Sequence, residues 1–120
     1  PKENMDSERD RHARNGKFIL WSAISISLFA MIARAISGII ENGDITSMLM
    51  PQSIHGWTGP LGLILLGVMS KYGTQTHAAI KNKEKSGKKR LMHGRAADFI
   101  IVLGAIHAFL GFLYTFAILT

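Results

Sequence analysis

Cysteine is absent from this chain of 120 residues, and tryptophan and tyrosine occur only twice each. Without cysteine there is no disulfide, thiolate nucleophile, iron–sulfur cluster or cysteine-bound zinc, so histidine is the only strong soft-metal ligand left. The sequence also lacks a Gly-rich phosphate loop and a His-Glu-x-x-His motif. These absences argue against hydrolytic and nucleotide-binding enzymes, and they leave electron transfer open.

Long apolar runs make up most of the remainder. Apolar residues form 48% of the chain and cluster at about 18–40, 56–72 and 96–119 instead of forming amphipathic stripes. At a rise of ~1.5 Å per residue the last run reaches ~36 Å, enough to cross the ~30 Å hydrocarbon core of a bilayer. The sequence therefore predicts an all-α integral membrane bundle of three transmembrane helices.

The polar segments between these runs set the expected orientation. Residues 1–17 are predicted to form a polar, solvated tail, in which Ser7 is the candidate N-cap of a helix that enters the membrane. Residues 41–54 form an acidic loop, and residues 73–95 a basic one. The positive-inside rule places the N-terminus and the basic loop on the cytoplasmic or stromal side. The net charge of +6 thus belongs to the flanks of the spans, and nucleic acid binding is not expected.

The histidines fall into two layers on this topology. His12 and His93 precede spans one and three on the positive side, whereas His55 opens span two and His107 lies in span three on the far side. A bis-histidine haem needs one imidazole from each of two helices at matching depth. The pairs His12 with His93 and His55 with His107 meet that requirement. His77 lies beyond span two, where it is either a substitute in the first pair or a solvated loop residue.

Arginines accompany the positive-side histidines. His12 and His93 both occur in the pattern Arg-x-x-His-x-Arg, so Arg14 and Arg95 are candidates to hold haem propionates, although lipid phosphates suit them equally. Arg34 lies within the first span. It either snorkels to the interface or pairs with an acidic group or an anionic cofactor.

Glycines make the second predicted span thin. A closely packed neighbour must lie against them, either another helix or a flat ring. The glycines are Gly56, Gly59, Gly62 and Gly67.

Three short segments carry a resemblance to a known family. They are Asp10-Arg11-His12, Ser53-Ile54-His55-Gly56-Trp57-Thr58-Gly59 and Arg90-Leu91-Met92-His93-Gly94-Arg95. With them the chain resembles a family of cyanobacterial and plastid membrane proteins, domain of unknown function 4079, and is distantly similar to transmembrane b-type cytochromes. The resemblance implies a thylakoid location, with any transit peptide already removed, where histidines also ligate the magnesium of chlorophyll.

Three functions remain open at this stage. The first is a small accessory subunit of a photosynthetic membrane complex, which binds chlorophyll or haem b through His93, His55, His12 and His107. The second is a bis-histidine b-type cytochrome that carries electrons across the membrane, and the third is a structural or assembly protein without a cofactor. The expected partners are the lipid bilayer and other membrane subunits, and nothing in the sequence supports a homo-oligomer.

Overall fold

A computed structural model describes the backbone of residues 2–119 and the side chains of residues 2–117. It contains three helices, α1 (Lys2–Asn42), α2 (Ile54–Lys81) and α3 (Gly87–Leu119), and no strand in the described range. Helix α2 is central, because the backbones of α1 and α3 each lie against it and not against each other. The predicted all-α class is confirmed.

Helix α1 begins much earlier than the sequence predicts. Residues 2–17, expected to be a solvated tail, continue the helix to its start at Lys2. Ion pairs three residues apart, Arg9 with Asp6 and Arg11 with Glu8, stabilise this polar part. Ser7 is not an N-cap, because it lies inside the helix and its hydroxyl donates to the Asn4 carbonyl.

The basic loop is shorter than predicted. Helix α2 continues to Lys81 and α3 starts at Gly87, so only residues 82–86 connect them, and residues 73–81 and 87–95 are helical. Hydropathy marks where a chain leaves the bilayer, whereas hydrogen-bonded caps determine where a helix ends. The end of α2 is such a cap: the amide of Glu84 donates to the Ala79 carbonyl and that of Lys83 to the Ile80 carbonyl.

Lys83 occupies the position in this cap that favours glycine. Its φ of 57° is left-handed, a conformation that costs an L-residue about 1–2 kcal/mol. We therefore expect Lys83→Gly to raise the free energy of unfolding by up to about 1 kcal/mol, after glycine's larger loss of chain entropy. Thermal unfolding in detergent, with Lys85→Gly as the control, checks this. Equal stabilities of the two variants would contradict it.

The bundle has almost no interior. Among the described apolar side chains only Ala79 and Ala96 are buried, while Phe29, Ile64 and Phe112 are each at least 65% exposed. Helices α1 and α3 are long and apolar enough to cross a membrane, and α2 is not by the same measure. Such a perimeter suits lipid or the apolar surface of other membrane helices.

The far-side loop, residues 43–53, is tied to α1. Gly43, with a φ of 67°, ends α1, and its amide donates to the Ile39 carbonyl. The guanidinium of Arg34 donates from Nε to the Met48 carbonyl at 2.6 Å and from an Nη to the Met50 carbonyl at 3.1 Å. Arg34 thus holds the loop, a role the sequence did not reveal, and not an acidic side chain.

Candidate functional site

The far-side histidines, His55 of α2 and His107 of α3, lie face to face. Their ring centroids are 4.1 Å apart and their planes differ by 16°. His55 Nδ1 donates to the backbone carbonyl of His107 at 3.0 Å. The hydroxyl of Thr58 donates to the His55 carbonyl at 2.9 Å, so it accepts from His107 Nδ1 at 2.8 Å. In both rings the proton is therefore on Nδ1, and Nε2 keeps a free lone pair.

Gly111 makes this close approach possible, and Gly59 lies under the other ring at ordinary contact distance. A methyl group on Gly111 would come within 2.7 Å of His55 Cε1, and one on Gly59 within 3.5 Å of His107 Cε1. Each glycine follows a histidine of its own helix by four residues, His55 or His107. Each ring thus lies over the glycine of the other helix. The neighbour of the thin second span is helix α3, whose His107 lies against Gly59 and whose Leu103 lies against Gly62.

The positive-side pair repeats this arrangement in part. His93 of α3 donates from Nδ1 to the Met69 carbonyl of α2 at 2.8 Å. Its ring lies over Gly73, four residues after Met69, where a methyl group would come within 2.9 Å of His93 Cε1. The ring of His12 lies 6.0 Å from that of His93, with the planes at 89°. His93 Nε2 is free, and neither ring nitrogen of His12 has a partner among the described residues.

The two pairs differ in their fit to a metal macrocycle. Two imidazoles that bind one iron from opposite faces, through bonds of about 2 Å, hold their centroids about 6 Å apart. His12 and His93 match this spacing, and the helices that carry them do not pack against each other. His55 and His107 do not fit, because stacked rings 4.1 Å apart leave no space for a porphyrin between them. A single axial bond to one free Nε2 remains compatible with their tautomers.

The remaining candidates lie around the positive-side pair or away from it. Arg14 and Arg95 are exposed, and no acidic side chain pairs with either within the described chain. Their guanidinium groups are therefore available to carboxylates or phosphates. Arg34 lies at the opposite end of the bundle, on the loop.

His77 is part of a polar contact between α1 and α2, and not a loop residue. His77 Nε2 lies 2.8 Å from Asp10 Oδ1, and the ammonium of Lys81 lies 3.4 Å from the same oxygen. The hydrogen bond with His77, assisted by Lys81, lowers the pKa of the Asp10 carboxyl below its ordinary 3.8. The contact therefore persists below pH 3.8 and is lost only as the pH falls through the lower folded-state pKa.

Asp10→Ala is expected to separate the positive-side ends of α1 and α2, because it removes the shared acceptor of His77 and Lys81. Asp6→Ala is the matched control, since Asp6 pairs only within α1. Spin labels on Asn4→Cys and Lys83→Cys report the separation of the two ends. A distance that is unchanged in Asp10→Ala would show that the contact is dispensable.

Several functional groups escaped the sequence reasoning. Thr58, the Met69 carbonyl, Gly73 and Gly111 orient the rings, yet none is remarkable alone. The available signal was the repeated His-x-x-x-Gly spacing, at residues 55–59 and 107–111. In an α-helix that spacing puts the glycine above the carbonyl that a neighbouring ring can reach.

Comparison with known proteins does not narrow the possible functions of this chain. No family model, curated protein or solved structure matches this chain. The resemblance to domain of unknown function 4079 therefore stays a prediction. The histidine geometry is the ground for a functional assignment.

Proposed function

We propose that this protein is a small accessory transmembrane subunit of a photosynthetic membrane complex, and that it binds a tetrapyrrole through His93 with His12. In this proposal all three helices cross the thylakoid membrane, with the N-terminus on the stromal or cytoplasmic side. The observation that carries it is the orientation of His93. Its Nδ1–H is held by the Met69 carbonyl, its Nε2 has no hydrogen-bond partner among the described residues, and its ring centroid lies 6.0 Å from that of His12.

This arrangement matches the way metal-binding histidines are prepared. Such a histidine usually donates its other ring N–H to a carbonyl or carboxylate, which fixes the tautomer and makes the free nitrogen more basic. His93 has this bond. Two axial imidazoles are also sufficient for a metal whose other four ligands come from a macrocycle.

The surrounding groups suit a large, flat, partly anionic ring. The ring of His93 is seated over Gly73 and is half-buried. Arg14 and Arg95, two residues after each histidine, carry unpaired guanidinium groups that can hold propionates. Haem b would supply a reducible iron at this place, and chlorophyll a light-absorbing magnesium macrocycle.

The exposed perimeter favours an accessory subunit over an independent carrier. Only two apolar side chains are buried among those described, so the helices have apolar faces left to pack against other subunits. The alternative, a cytochrome with two stacked haems, requires His55 and His107 to separate from their present contact. The stacked pair therefore supports one bis-histidine site and not two.

The test is the absorption spectrum of the purified native protein, with a pyridine haemochrome assay. We expect a haem b or chlorophyll signal that His93→Ala removes almost completely. His77→Gln, which removes a positive-side imidazole but keeps an N–H donor for Asp10, should leave it unchanged. His12→Ala distinguishes the two cofactors. It would change the ligation of a six-coordinate haem iron, and it would leave a five-coordinate magnesium unaffected.

A colourless native protein that copurifies with no photosynthetic subunit would exclude the proposal. A full signal in His93→Ala would exclude this site. A structural or assembly role without a cofactor would then be the remaining hypothesis.

A further inference from the structure

The positive charge of this protein is concentrated at one place. Residues 71–95 contain eight lysines or arginines and one glutamate, a net charge of +7, whereas the whole chain carries +6. All other residues together therefore carry −1. Six of the eight cations lie within ten residues around the loop between α2 and α3, and we call them the basic tip: Lys81, Lys83, Lys85, Lys88, Lys89 and Arg90.

The basic tip is not neutralised from within the chain. Lys81 lies near Asp10, and the other five cations form no ion pair with any described residue. The polar part of α1 on the same side behaves differently, since Arg9 and Arg11 pair with Asp6 and Glu8. One positive-side element thus satisfies its own charges, and the other presents them to the surroundings.

Rigid helices hold the basic tip away from the apolar spans. The apolar part of α2 ends near Tyr72 and that of α3 begins at Ala96, but the helices continue to Lys81 and start at Gly87. At ~1.5 Å per residue, Lys81 and Lys88 lie about 12–14 Å beyond these ends. The headgroup layer on each side of a bilayer is only roughly 5–8 Å thick. The loop between them therefore projects beyond the headgroups, into water.

We infer that the basic tip is a docking surface for a soluble protein with a carboxylate-rich face. This inference rests on the membrane placement in the proposed function. Lipid phosphates would neutralise cations at the bilayer surface, such as Lys71 and Arg95. These phosphates lie below the loop. Unpaired charges on a rigid support attract an opposite surface over about a Debye length of 8–10 Å and raise its association rate. Such binding weakens as the salt concentration rises.

The first measurement uses the protein in phosphatidylcholine nanodiscs and a fluorescent poly-glutamate peptide as the acidic probe. We expect saturable, salt-sensitive binding that weakens about tenfold or more when Lys83, Lys85, Lys88 and Lys89 are replaced by glutamine. The control variant Arg9→Gln with Arg11→Gln removes cations that are already paired, and it should bind nearly as well as the native chain. Equal losses in both variants would overturn the inference. So would tighter binding of an RNA oligonucleotide than of the peptide.

The second measurement locates the basic tip relative to lipid. The chain has no cysteine, so Lys85→Cys and Ile64→Cys each accept a single fluorophore, to be quenched from water or from lipid tails. We expect the label at position 85 to be quenched from water, with or without phosphatidylglycerol in the nanodisc. Protection that appears with phosphatidylglycerol would assign the tip to lipid and overturn the inference. Absence of lipid quenching at position 64 would instead refute the membrane placement itself.

Discussion

Gly111→Ala is expected to displace the ring of His55 and to destabilise the contact between α2 and α3. The added methyl group would come within 2.7 Å of His55 Cε1, so the ring must move and its hydrogen bond to the His107 carbonyl breaks. A part-buried N–H without a partner costs about 1–3 kcal/mol, with membrane values toward the lower end. Thermal unfolding in a fixed detergent measures the loss.

Gly104→Ala is the matched control, because Gly104 lies on the same helix as Gly111. A methyl group at position 104 would meet nothing within 4 Å. It should leave stability unchanged or raise it slightly, since alanine favours helix more than glycine does. In a His55→Ala background the penalty of Gly111→Ala should disappear. A penalty of the same size in that background would show that the imidazole is not its cause.

Arg34→Met is expected to release the far-side loop, residues 43–53, from α1. It keeps an apolar stem and removes both charge-assisted bonds, to the Met48 and Met50 carbonyls. Hydrogen bonds to charged donors contribute about 1.5–3 kcal/mol when they are shielded from water. Because Arg34 is exposed, we expect its two bonds together to stabilise the closed loop by about 1.4 kcal/mol. That energy corresponds to a tenfold change in the equilibrium constant for loop opening. Hydrogen exchange of the loop amides should therefore accelerate about tenfold.

Arg14→Met provides the comparison, since it removes a guanidinium of the same helix that holds no loop carbonyl. Exchange in residues 43–53 should then match that of the native chain. If Arg34→Met also leaves exchange unchanged, the loop is held by its own turn. That turn includes Asp44, whose Oδ1 accepts from the Thr46 amide, a bond that lowers the pKa of the Asp44 carboxyl.

The sequence predicted the helical class and the pairing of histidines because both depend on simple periodicities. Apolar runs of sufficient length indicate helices, and a constant rise per residue converts positions such as His93 and His107 into depths. The structure brings His12 to His93 and His55 to His107, the pairs that matching depth had suggested. Their distances and ring angles depend on glycines and carbonyls of the neighbouring helix, which no periodicity encodes.

Helix ends were predicted poorly for a physical reason. The expected tail over residues 2–17 and the expected loop over 73–95 are polar, and polarity was equated with irregular structure. A helix outside a bilayer continues as long as its side chains can be paired or solvated, as Arg11 with Glu8 is. It stops where a cap provides an alternative, as at Lys83.

The scarcity of buried side chains has a consequence for how this fold is held together. A soluble domain brings its own apolar interior, so its cohesion changes little with the medium as long as the medium is water. Here Ala79 and Ala96 are the only buried apolar side chains among those described. Most of the apolar surface of the helices is therefore left to whatever surrounds them, so the cohesion of the fold depends on that environment more than on an interior. In a bilayer, the surrounding lipid would take the place of the outer layer of a core.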